Sequence, residues 1–175
     1  MSLTFTVLRY ISIFSNKPGG EMTVKHQISN RASLNDRRFQ ALMESGLYPL
    51  SEFDHQAHLR LAYVCLISRD VAMALDYCRE VINRLLSLNK VDPQKYHETI
   101  TCAWLMTVRQ RMSDSPSTDS FASFIRQHPD LTDGRLIRRH YSDDRLFSPL
   151  AREHFLLPDR QPFGWVSPSS LCSAV

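Results

Sequence analysis

Only five glycines occur in the 175 residues, two of them adjacent at Gly19 and Gly20, and none sits in a GxGxxG, GxxxxGKS/T or GxSxG pattern. Phosphate-cradling loops need glycine where the backbone approaches an anion, and a nucleophile elbow needs it in a strained turn. The shortage argues against both nucleotide binding by such a loop and α/β-hydrolase chemistry. Paired cysteines are also lacking. Cys65, Cys78, Cys102 and Cys172 show no CxxC spacing, and the first three fall inside apolar helical patterns. That pattern reads as buried free thiols in a reducing cytoplasm, not as a metal knuckle or an exposed Cys-His nucleophile. Charge of one sign is missing too: 21 Lys and Arg against 18 Asp and Glu leave a formal +3, from arginines scattered among acids with no lysine stripe. No nucleic-acid partner is expected. Nor is there an apolar run of the roughly 20 residues that a bilayer-spanning helix needs, so no membrane partner is expected either. The apolar start LTFTVLRYISIF carries Arg9 in its middle, has no basic segment before it and no small-residue cleavage site after it, unlike an export signal. A cytoplasmic protein is the expectation.

What is present is an ordinary globular balance, 43% hydrophobic and 22% charged, in a chain long enough for one real core and short for two. Residues 1–30 read as an N-terminal extension. The segment is loosely ordered or a short strand (Leu3, Phe5 and Val7 alternate with Thr4 and Thr6), or else lies upstream of a true start at Met22. Polar, loosely ordered chain extends to Asn35. Residues 31–162 then carry helical periodicity. LNDRRFQALMESG puts Phe39, Leu42 and Met43 on one face and stops at Gly46. A second helix, capped by Asp54 or Ser51, runs from His55 to Ser68. A third, capped by Asp70, has the cleanest 3.6-residue period, Val71 through Leu86, with Asp76, Arg79, Glu80, Asn83 and Arg84 on its outer face. Asp92 and Pro93 signal a fourth helix that is apolar nearly all round from Ile100 to Val108, hence central. Ser117 or Thr118 starts a short helix with Phe121, Phe124 and Ile125 inward; single turns follow at RLIRRHY and after Ser148-Pro149. From Pro158 the chain reads as an extended strap, and 163–175 as a flexible tail. The fold class is all-α: a single-domain bundle with a central apolar helix and short C-terminal helices.

Two helix starts concentrate the polar chemistry. In FDHQAHLR, His55 and His58 lie about 60° apart around a helix, given roughly 100° per residue, with side-chain roots on one face. Two such rings can chelate one divalent metal, Fe, Zn or Cu. His97 or Glu98, in KYHET, is the candidate for a further ligand. The competing reading is plain helix-start chemistry: polar residues belong in a first turn, Glu98 complements the dipole, and HxxH is not HExxH. Glu52-x-x-His55 mimics half of a di-iron motif, but no second copy follows. Arg60, on an otherwise apolar helix, needs a carboxylate or phosphate partner. Glu98 is one candidate; an anionic substrate is the other. RRHYSDDRLFS clusters Arg138, Arg139, His140, Tyr141 and Arg145 in an irregular region, a binding loop or a solvated basic turn. Tyr63, Tyr96 and Trp104 are aromatics near the same mouth.

The ordered set ESGLYPLSEFDHQAHLRLAYVCL, KYHETITCAWL, FIRQHPDL and RRHYSDDRLFSPLAREHFLLPDR resembles a bacterial family of small helical proteins of uncharacterised activity, over roughly residues 42–162. Its pattern matches here at Phe53, His55, His58, Leu59 and Arg60, then at Tyr96, His97, Glu98 and Thr99. It continues at His140, Tyr141 and Ser142, and at Leu146, Phe147, Ser148, Ala151 and Arg152. The resemblance implies that these residues form one recurring design and brings no activity with it. Two expectations follow. In one, a polar pocket at the end of the bundle holds a divalent metal on His55, His58 and His97, with Glu98, Arg60 and His140 as catalytic groups acting on a small polar or anionic substrate. In the other, the same residues form a metal-free hydrogen-bond network in a small-molecule-binding or accessory protein.

Overall fold

The computed structural model describes residues 30–163. The strand or extension expected at the N-terminus and nearly all of the expected tail lie outside the described residues. Within them the chain is all-helical, with no strand. Seven α-helices occur there: α1 (Leu34–Ser45), α2 (His55–Leu66), α3 (Val71–Leu88), α4 (Glu98–Asp114), α5 (Phe121–Gln127), α6 (Asp143–Leu146) and α7 (Pro149–Glu153). Single 3-10 turns stand at Leu50–Glu52, Pro93–Lys95, Pro129–Thr132 and Leu136–Arg139. No described helix is long and apolar enough to cross a membrane.

Each start is set by a side chain that accepts an otherwise unpaired N–H of the first turn. Ser33, Asp54, Asp70, Ser120, Ser142 and Ser148 all do this three residues ahead. Three expected boundaries move as a result. Ordered helix begins at Leu34, before Asn35, because Ser33 and Asp36 satisfy each other's backbone N–H groups in a capping box. Asp92 and Pro93 start only the 3-10 turn; Tyr96 then extends (ψ 146) and α4 begins after His97. Ser120, not Ser117 or Thr118, caps α5, since the Thr118 hydroxyl is engaged with Tyr63 (2.9 Å) and Asn30 (3.0 Å). Leu42, expected inward, is exposed.

Gly46 ends α1 in the left-handed region at φ 74, and a Cβ there would lie 2.2 Å from Leu88 Cδ1 at the end of α3. Leu88 is an exposed, flexible tip, so the backbone conformation is the harder constraint. Gly46→Ala is expected to lower stability by about 1 kcal/mol, measurable as a lower urea midpoint at unchanged slope.

α4 is central, as its apolar girth predicts: Cys102 through Val108 are all buried. α2 and α3 pack along it, and α2 is itself buried from Leu61 to Leu66. α3 covers them with one face (Val71, Ala74, Leu75, Cys78, Val81, Ile82, Leu85 and Leu86). The C-terminal arm is tied to the start of α4 by one hydroxyl: Thr99 Oγ1 donates to the His154 carbonyl (2.6 Å) and accepts the Leu156 N–H (3.0 Å). Tyr141 donates from its hydroxyl to the Leu156 carbonyl (2.9 Å). Phe163, placed by sequence in the flexible tail, is fully buried against His140 and Tyr141. An aromatic ring that finds a ready-made slot does not fray.

Candidate functional site

Between α2, α3 and the first turns of α4 lies a cleft of about 180 Å³. Leu61 and Ala62 come from α2, Cys78 and Ile82 from α3, and Ile100, Trp104 and Leu105 from α4. The polar rim is His58, Lys95, Tyr96, His97 and Thr101. Thus FDHQAHLR and KYHET do meet, through His58 and His97, across two helix starts. The meeting is mostly apolar in character.

The histidine rings are committed to separate backbone groups. His55 Nε2–H donates to the Leu131 carbonyl (2.9 Å), and its ring lies against Trp104 with centroids 4.6 Å apart. His58 Nδ1–H donates to the Asp54 carbonyl one turn back (2.6 Å), with the Phe53 ring over it at 4.0 Å. His97 is the N-cap of α4: its Nδ1 accepts the Ile100 N–H (3.3 Å). Among the described residues no three His, Cys, Asp or Glu side chains form a group that could hold a metal ion. The proposed set of His55, His58 and His97 is therefore not assembled as a chelate: side chains in a first turn are drawn to nearby backbone donors and carbonyls.

Those bonds fix the tautomers. Burial pushes the His58 pKa below the ordinary imidazole value, against the Asp54 carbonyl that favours the charged ring. The ring is neutral near pH 7 with its proton on Nδ1, which leaves Nε2 as an acceptor. His97 is the reverse, because Nδ1 accepts and the proton must sit on Nε2. That Nε2 is buried and has no hydrogen-bond partner among the described residues. Burial, then the positive charge of Arg152, lowers the His97 pKa, with the Leu146 backbone opposing the shift.

The three residues expected to be catalytic are apart. Arg60 lies on the side of α2 that faces α1: it binds Asp36 through Nε (2.9 Å) and Nη2 (2.8 Å), with its guanidinium over Phe39 at 4.7 Å. The expected Arg60–Glu98 pair is thus replaced by Arg60–Asp36. Glu98 points to α3 instead, where Arg79 holds it through Nη2 (2.5 Å) and Nε (3.1 Å) and the Tyr96 hydroxyl donates to it at 2.8 Å. Glu98 raises the Arg79 pKa, while burial first and then Glu98 raise that of Tyr96. His140 is outside the cleft, donating from Nδ1 to the Gln161 carbonyl (2.7 Å) and stacked on Phe163 at 4.1 Å.

Sequence reasoning missed Asp36 and Arg79. Asp36 is buried and receives the Ser33 N–H (3.0 Å), the Ser33 hydroxyl (2.7 Å), the Phe121 N–H (3.1 Å) and Arg60. The Ser33-x-x-Asp36 spacing was the available signal, since a capping box places an acid in a first turn. The helical pattern places Arg79 on a solvated face, and nothing local marks it otherwise. Set against protein-family models, curated proteins and solved structures, the chain matches none of them.

Proposed function

We propose that this protein is a metal-free binding module for a small, mainly apolar molecule of one ring or a short chain that carries one hydrogen-bond donor. One observation carries the reading: a cleft of about 180 Å³, walled by Leu61, Ile82, Ile100, Trp104 and Leu105, with a neutral histidine acceptor among its polar groups. Drug-sized pockets span about 300–1,000 Å³, and an apolar cavity of about 150 Å³ suffices for benzene. The size therefore selects a single ring. In such a site apolar burial supplies affinity and one polar group supplies orientation, here His58 Nε2 accepting from a hydroxyl. Arg60, Glu98, His55 and His140 serve as structural hydrogen-bond partners around it, which is the network form of the two expectations and involves no catalysis.

Phenol and toluene, nearly equal in size, separate the contributions. In chelator-treated protein purified without a His-tag, phenol is expected to bind saturably and more tightly than toluene by about 1 kcal/mol, the net worth of one hydrogen bond. His58→Ala should abolish that preference while leaving toluene binding in place, read by titration with protein-observed NMR. Saturable binding of neither probe up to millimolar concentration would overturn the proposal. So would a stoichiometric metal retained by the wild type and lost in His58→Ala, which would restore the metal-dependent reading.

A further inference from the structure

Cys65 on α2 and Cys78 on α3 bring their Sγ atoms to 3.6 Å in the buried seam between the two helices. Both are free thiols. The gap exceeds a disulfide bond by about 1.5 Å, a distance that side-chain rotation with a small approach of adjacent helices can close. Cys102, the third buried thiol, rests against Met106 Sδ at 3.9 Å instead, so among the described residues the juxtaposition belongs to one pair. Cys78 also lines the cleft and Cys65 does not. A small molecule in the cleft therefore meets Cys78 first, with Cys65 directly behind it.

We infer that Cys65 and Cys78 form a reversible oxidative modification site, closed to a disulfide by a hydroperoxide that enters through the cleft. In the first step Cys78 Sγ attacks the hydroperoxide, the O–O bond breaks, and Cys78 becomes a sulfenic acid with release of water, or of an alcohol from an organic hydroperoxide. In the second, Cys65 Sγ attacks the sulfenic sulfur and the S–O bond breaks. The hydroxyl leaves with the Cys65 thiol proton as a second water. The hydroperoxide is the two-electron oxidant, and a dithiol reverses the change by exchange. Burial first, and then the neighbouring Cys78, raise the Cys65 thiol pKa, so its thiolate is scarce and the second step, attack by Cys65, is slow compared with attack by an exposed thiol. The sulfur geometry is independent of which ligand the cleft takes; only the route of the hydroperoxide uses the cleft.

The test uses the folded full chain, treated at neutral pH with excess hydrogen peroxide, then alkylated in denaturant and mapped as peptides without reduction. Expected is a cross-linked peptide pair joining Cys65 to Cys78, lighter by two hydrogens, with Cys102 fully alkylated and the link undone by dithiothreitol. Three results would overturn the inference: no link in excess peroxide, a link that forms only when oxidation is done in denaturant, or Cys78 carried to the sulfinic acid unlinked. In Cys78→Ala, checked for a native circular dichroism spectrum, peroxide oxidation of Cys65 should fall at least tenfold. An unchanged rate would overturn entry through the cleft, and if that variant does not fold the wild-type map decides alone.

Discussion

Asp36→Ala is expected to destabilise the protein by about 3–5 kcal/mol, because the Ser33 and Phe121 N–H groups lose their acceptor at about 1–3 kcal/mol each and a partly buried ion pair is lost with it. The Asp36 side chain is 2% exposed and that of Arg60 21%, so the arginine regains some water and the orphaned groups are mainly the Phe121 and Ser33 N–H groups. In a chain of this size the melting point should fall on the order of 10 °C. The pH dependence has a definite sign. Burial alone would raise this carboxyl, but the Ser33 hydroxyl, the Phe121 and Ser33 amides and Arg60 together hold it below its ordinary value of 3.8. A carboxylate with a lowered folded pKa contributes stability that is present above its unfolded pKa and lost as pH falls through the folded one. Urea denaturation of wild type at pH 6 and pH 3 should therefore show an acid loss that Asp36→Ala lacks in part. A penalty below 1 kcal/mol at pH 6 would mean that water already satisfies the donors around it.

Trp104→Ala is expected to cost a similar amount, about 3–5 kcal/mol for removing a large buried aromatic. Trp104 is 6% exposed, forms one wall of the cleft, and holds the His55 ring that in turn reaches the Leu131 carbonyl. Its loss should loosen the seat of the Pro129–Thr132 turn as well as the core. A double-mutant cycle with His55→Ala measures that connection, with a coupling of about 0.5–1.5 kcal/mol expected for a ring pair. Additive effects of the two substitutions would show that His55 holds Leu131 without help from the indole.

The helices were legible wherever a long period met a capping residue: Asp70 with the Val71–Leu86 stripe predicts α3, and the all-round apolar run from Ile100 predicts that α4 is central. Short-range signals failed where two of them compete. Asp92-Pro93 is a stronger start signal than His97, yet it opens only one 3-10 turn before the chain extends at Tyr96. The site was legible as a place and not as a constellation. His58 and His97 share a cleft, a meeting that the spacing within either motif does not encode, and the direction of each ring depends on whichever carbonyl or N–H lies nearest. Partners such as Asp36 for Arg60, 24 residues away, and Arg79 for Glu98, 19 residues away, come from helix packing that no local pattern encodes.

The Asp36 junction also bears on how the molecule opens. Its donors come from Ser33, from Arg60 on α2 and, 85 residues along the chain, from Phe121 at the start of α5. The desolvation of the carboxylate is compensated in full only while all three are in place. Peeling α5 away would leave a charge short of a donor at the joint between α1 and α2. Excursions of a seven-residue helix are thereby coupled to the stability of two elements far from it in sequence, and the junction makes local fluctuations into a shared, cooperative event.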